Sequence, residues 1–220
     1  MKHLLPIAIV MAIFSFISCL DEHEDPVDLS LKVGNVYYED GSIYPVGYAK
    51  YEKTMPVGVV TAVGGKDDPY RALIMGLEDI GSEYYLNSLE EDVAGISTDL
   101  TTFDGKENTA ALLYAAVSDT TLTPASAMLC SSYIVGGIGS WHLPSVAEMR
   151  TVATNYGTVS ATLRALQAPA LGDCYHTSTT DGTSGNNSKI YYYIIELPKG
   201  NVTSAQKTES HMIRPFMILK

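Results

Sequence analysis

The chain has little of what enzymatic chemistry draws on. Its 220 residues include three cysteines, one tryptophan and five histidines, and charged side chains make up only 18%. It has no CxxC pair and no His/Cys spacing of the zinc-binding kind. A Gly-x-Ser-x-Gly elbow, a phosphate-cradling glycine loop and a pair of acids spaced for hydrolysis are also missing. The histidines His3, His23, His142, His176 and His211 are scattered along the chain. The expectation is a non-catalytic protein with no cofactor and no metal. Basic residues are few as well, 14 Lys and Arg against 25 Asp and Glu, for a net charge of −11. Phosphates would be repelled, which excludes nucleic acid and anionic lipid as partners and leaves neutral glycans and proteins.

The longest apolar run is also short. Between Leu4 and Ile17 only Pro6 and Ser15 interrupt it, and it falls below the ~20 residues of a membrane-spanning helix. Lys2 and His3 precede it and Phe16-Ile17-Ser18-Cys19 ends it. This pattern resembles a bacterial lipoprotein signal, cut before a cysteine that then carries lipid. The resemblance implies removal of residues 1–18 and stable anchoring in the outer membrane through acyl chains on Cys19. Asp21, Glu22, Glu24 and Asp25 follow at once. Such an acidic run resembles the surface-export signal of Bacteroidota lipoproteins, so cell-surface exposure is expected. Residues 19–33 read as an extended acidic tether, and residues 34–220 as one domain.

Setting Cys19 aside leaves Cys130 and Cys174. In an exported protein an even pair reads as one disulfide, which would stabilise by roughly 3–5 kcal/mol. The alternative is two buried thiols acting as small apolar residues.

Strand signals lie toward both ends. Val36-Tyr37-Tyr38 runs into a turn at residues 39–42, and residues 56–63 and 71–77 are apolar and largely β-branched or long-chain aliphatic. Residues 81–103 have no clear period. Helical signals occupy the middle. Asp104 and Glu107 match a capping box before residues 110–117. Thr123-Pro124 starts a second helix over 125–133. Ser145 and Glu148 form another capping box opening a helix to about residue 155, where Gly157 suits a left-handed cap. A short helix over 160–167 stops before Pro169. Residues 189–197 and 211–219 read as the last strands. Strands outside and helices between make an α+β pattern.

Several landmarks then fall into one order: Asp104-Gly105-Lys106-Glu107-Asn108-Thr109, Trp141-His142-Leu143-Pro144-Ser145-Val146-Ala147-Glu148, Tyr175-His176-Thr177-Ser178-Thr179, and Ile213-Arg214-Pro215-Phe216. This order resembles the C-terminal domain of the Legionella collagen-like adhesin, a family that includes fimbria-associated lipoproteins. The resemblance implies a C-type lectin-like fold: first and last strands paired in a mixed sheet, two or three helices in the middle, and long loops presenting a ligand. The family is also similar to formylglycine-generating enzymes, but this chain lacks the reactive cysteine arrangement. His176 stands where the family's loop has Trp. The acid and amide triplets of calcium lectins are absent.

The physical reading of the same residues is a strand-to-helix corner. Leu143 is held extended by Pro144, Ser145 caps a helix with Glu148 as the box acid, and Trp141 plugs the corner or stacks on a ligand. Arg214, followed by Pro215, is a candidate partner for Glu148. Recognition is expected on the polar segment after Cys174, with His176, Thr177, Asp181, Asn186, Asn187, Tyr191 and Tyr193 as the ligand-facing set. Strand alternation puts Tyr192 inward with Ile190 and Ile194, and Tyr191 and Tyr193 outward. The expected function is a surface adhesion or binding module for a glycan or protein. The alternative is a structural component of a fimbrial or other surface complex.

Overall fold

The computed structural model describes residues 27–48, 53–183 and 187–220. The expected signal peptide and Cys19 lie outside the described residues, as does Asn186. Residues 27–33 have no regular secondary structure.

In chain order the strands begin with β1 (Val36–Tyr38), β2 (Ile43–Tyr44), β3 (Pro56–Val63), β4 (Ala72–Gly76) and β5 (Gly81–Tyr84). Four helices follow: α1 (Gly105–Ser118), α2 (Ala125–Ser132), α3 (Val146–Thr154) and α4 (Tyr156–Ala165). Then come β6 (Cys174–Thr180), the single turn α5 (Asn187–Ile190), β7 (Tyr191–Glu196), β8 (Asn201–Gln206), β9 (Ser210–Ile213) and β10 (Phe216–Leu219). The α+β class is as expected. Among the described residues, four helices rather than two or three fill the middle.

The strands form two five-stranded sheets, ordered β10-β4-β3-β1-β2 and β5-β9-β6-β7-β8. The first is antiparallel throughout. The second is mixed, because β6 runs parallel to β9. First and last strands share a sheet but are not neighbours: β10 pairs with β4, not β1. The expected closing strand over 211–219 is in fact two strands in different sheets. Pro215 has no N–H to give a ladder, so the chain crosses over at Arg214-Pro215. Gly76 closes against this crossing: its N–H donates to the Pro215 carbonyl at 2.8 Å, and a Cβ there would sit 2.9 Å from the proline ring.

Period-2 alternation divides β4 between two cores. Leu73 and Met75 face a central cluster with Tyr175, Ile195, Met149, Val152 and Leu163, between the sheets and under α3 and α4. Ala72 and Ile74 face the other side, with Trp141, Val57 and Met217. A third cluster joins α1 and α2 to the second sheet through Leu112, Ala127, Cys130, Tyr192 and Ile194. Both faces of that sheet are therefore covered.

Some local details depart from expectation. Asp104 precedes α1 but makes no side-chain cap bond; its carboxylate accepts from Thr102 and Asn108 instead. Gly157 lies inside α4. The end of α3 falls at Asn155 as expected, with its Nδ2 donating to the Thr61 and Thr151 carbonyls, but the left-handed residue is Gln167 after α4, at φ 55°. The expected disulfide is not formed: Cys130 and Cys174 are both free thiols. Cys130 faces the third cluster from α2, while Cys174 packs against that cluster at the start of β6. Burial raises the pKa of both, as for small apolar residues rather than reactive thiols.

Candidate functional site

The landmark segments converge on one place, the corner before α3. Trp141 is buried, its Nε1 donating to the Ile138 carbonyl at 3.1 Å and its ring edge-on to Tyr133. His142 pairs through its backbone with Phe216 in both directions, at 2.8 and 3.0 Å. Both halves of the Ser145 capping box are formed: Ser145 Oγ accepts from the Glu148 N–H, and Glu148 Oε2 accepts from the Ser145 N–H at 2.8 Å. Glu148 is fully buried, and His142 Nε2 lies 3.2 Å from both its oxygens. Its partner is therefore His142 and not Arg214. Arg214 Nε instead meets Asp79 at 2.7 Å at the crossing between the sheets, and its NH1 and NH2 reach the Gly76 and Ala170 carbonyls.

Helix α1 abuts this corner through Gly105. A Cβ at that position would fall on Glu148 Oε2 and lie 2.7 Å from the Leu143 carbonyl, so the close approach requires glycine. The Thr109 hydroxyl donates to the Gly105 carbonyl at 2.7 Å and accepts from the Leu143 N–H at 3.0 Å. Asn108 accepts from the Ser97 N–H at 2.8 Å and donates to Ser178 Oγ at 3.2 Å.

The third landmark, in β6, closes the same hub. The register of β6 against β7 shifts between His176 and Thr180. A bulge of this kind frees backbone and side-chain groups from the ladder, and the corner takes them up. Ser178 N–H donates to the Pro144 carbonyl at 2.7 Å, Thr179 Oγ1 accepts from the Val146 N–H at 3.1 Å, and Thr177 Oγ1 donates to the Tyr193 carbonyl at 2.6 Å. The sequence reading missed Asn108, Thr109, Ser178 and Thr179 as members of one hub, although their residue types carried the signal.

The expected ligand-facing set is mostly interior. His176, Thr177, Asp181 and Tyr193 are buried, while Asn187 and Tyr191 are half-buried. The alternation along β7 was right about Tyr192, which faces the third cluster. It misled about Tyr193, because α3 packs on the opposite face of β7. His176 stands in an aromatic cluster, its ring 4.5 Å from Tyr192 at 16° and 6.3 Å from Tyr85, and Tyr85 lies 4.8 Å from Tyr192 at 14°. Its Nε2–H donates to the Glu83 carbonyl at 2.6 Å. Burial pushes its pKa down to about 3, against the pull of that carbonyl, so the ring is neutral and serves as a flat packing surface.

Asp181 is a second knot. Its Oδ1 accepts from Thr183 N–H and Oγ1 and from the Tyr193 hydroxyl at 2.9, 2.7 and 2.9 Å, and its Oδ2 accepts from Ser204 at 2.6 Å. Burial acts to raise this carboxyl, but the hydrogen bonds from Ser204, Thr183 and Tyr193 prevail and hold it at about 2. Its acceptor capacity is used inside the fold. Among the described residues, no three of His, Cys, Asp and Glu converge to hold a metal ion.

No family model matches the sequence, and no match was found among curated proteins. The fold is similar to that of a fimbrial protein from Bacteroides ovatus, with a TM-score of 0.62 and 17% sequence identity. The likeness covers 84% of this chain and 48% of that one, so the chain corresponds to about half of the fimbrial protein. The two share a fold. Among the described residues, no helix is long and apolar enough to cross a membrane.

Proposed function

We propose that the chain is a non-catalytic surface lipoprotein, anchored through Cys19, that serves as an assembly component of a fimbria-like structure. The observation that carries this reading is the fold shared over 84% of the chain with part of a fimbrial protein. The use of polar side chains agrees with it: the hub and the Asp181 knot spend their hydrogen bonds on the protein itself. The order of landmarks resembling fimbria-associated adhesion domains of C-type lectin-like fold supports the same reading. Adhesion to a glycan or protein ligand is the finer alternative, and Asn187 and Tyr191 are what the expected patch would still offer it.

Fractionation of the native bacterium tests the proposal. The chain is expected in the outer-membrane fraction and in sheared fimbriae, and Cys19→Ser should release it from the membrane. A chain that stays on the membrane but never accompanies fimbriae, while binding a glycan in an array, would favour the adhesion alternative.

A further inference from the structure

We propose that the outer face of α1, with the cavity beside it, docks an apolar segment of another polypeptide flanked by lysine or arginine. This rests on the reading of the chain as an assembly component and names the surface and partner chemistry of that role. Residues 110–117 of α1 are Ala-Ala-Leu-Leu-Tyr-Ala-Ala-Val, with no charged side chain. Leu112 is buried, but Tyr114 and Val117, one turn apart on the opposite side, are 73% and 78% exposed. The first turn of α1 carries exposed Lys106 and Glu107, but its later turns present apolar side chains outward, where a surface helix normally turns polar ones.

Beside Tyr114 lies a cavity of about 260 Å³. Its apolar lining comes from Val93, Ala111, Ala115 and Leu122, and acids stand around it: Glu91, Asp92 and Asp119. No basic side chain lines it. Asp119 is fixed by the Thr121 N–H and hydroxyl at 2.9 and 2.6 Å. Lys207 is buried, and its ammonium donates to the Glu91 carbonyl at 2.9 Å. Glu91 and Asp92 are exposed.

The charge selects the occupant. A second copy of this chain, at net charge −11, would bring acid to acid, and so would the chain's own acidic stretch at 21–25. An apolar side chain seated beside Tyr114, with cations reaching the rim, satisfies both parts of the surface. Aromatic anchors of this kind carry most of the binding free energy at protein interfaces, and rim charges set the salt dependence.

The test is fluorescence anisotropy of the purified full-length chain with two labelled peptides. Each carries Leu-Phe-Leu, flanked on both sides by lysine pairs in one and by glutamate pairs in the other. The lysine-flanked peptide should bind at least about tenfold more tightly at low salt, and weaken as salt rises. Tyr114→Ala should lower its affinity about tenfold. Glu91→Gln with Asp92→Asn should flatten the salt dependence. All three positions are exposed, so circular dichroism should show an unchanged fold. Equal binding of both peptides, no binding of the lysine peptide, or affinity untouched by Tyr114→Ala would overturn the proposal. So would self-association of the chain through Tyr114. Selective peptide binding without fimbrial co-fractionation would keep this surface and remove the fimbrial reading; co-fractionation without peptide selectivity would do the reverse.

Discussion

Residues 141–149 and residues 175–181 both carry polar side chains and both are buried, yet only the first holds a reciprocal hydrogen-bond pair between its own members. At the corner, Ser145 and Glu148 satisfy each other across three residues. In the second region, His176 bonds Glu83, Ser178 bonds Pro144, Thr180 bonds Ser97, and Asp181 bonds Ser204. The first kind of bond is visible in a sequence and the second is not. A run such as Thr177-Ser178-Thr179-Thr180 looks like a solvated loop until a bulge and a distant corner supply its partners. Polarity in a sequence marks a need for hydrogen bonds, which water or the protein can meet equally well.

The comparison can be broken most sharply at Trp141. If the corner is a packed plug, Trp141→Ala should cost about 3–5 kcal/mol in equilibrium unfolding. Near-native stability would mean the ring serves something other than packing. In the second region, Asp181→Ala leaves the buried Tyr193 hydroxyl without its acceptor and should cost about 2 kcal/mol, readable by urea titration. The wild-type carboxyl, held at about 2 against an ordinary 3.8, contributes on the order of 2 kcal/mol above pH 4. That contribution should disappear as pH falls through 2, and the alanine variant should lack this acid-side loss. If the variant matched the wild type at every pH, Asp181 would belong to the surface after all.

Smaller effects sharpen the picture. Ser145→Ala removes the cap acceptor and should cost about 1 kcal/mol, with α3 fraying first in amide exchange. A reductant should leave the melting temperature unchanged, because Cys130 and Cys174 are free. A loss of roughly 3–5 kcal/mol on reduction would instead reveal the cross-link that the cysteine count suggested.

The α+β class, strands β1, β3 and β4, and the start of α3 were legible in the sequence because each rests on local periodicity or a local cap. The end of α3 near Asn155 was legible, but its cap was not: Gly157 offered a glycine, while Asn155 itself donates to the Thr61 carbonyl, 94 residues away. The closing strand was read as one because alternation does not say which sheet a residue joins, and Pro215 was the signal that it divides. Tyr193 was placed outward because period 2 separates two faces without telling which is covered. Arg214 was a candidate partner for Glu148, while the fold gave it Asp79. The apolar run in α1 was plain in the sequence, but its exposure required the packing of Leu112 to fix the helix's rotation.

The polar landmarks of residues 175–181 are buried and hydrogen-bonded within the fold. NMR titration of the His176 imidazole tests this most directly. A ring stacked on Tyr192 and donating to the Glu83 carbonyl should stay neutral from pH 7 down to about 3. Stability should accordingly fall as pH drops from about 6.5, because only the unfolded chain takes up the proton there. A free-histidine midpoint near 6.5 in the folded protein would place His176 in water and contradict the account.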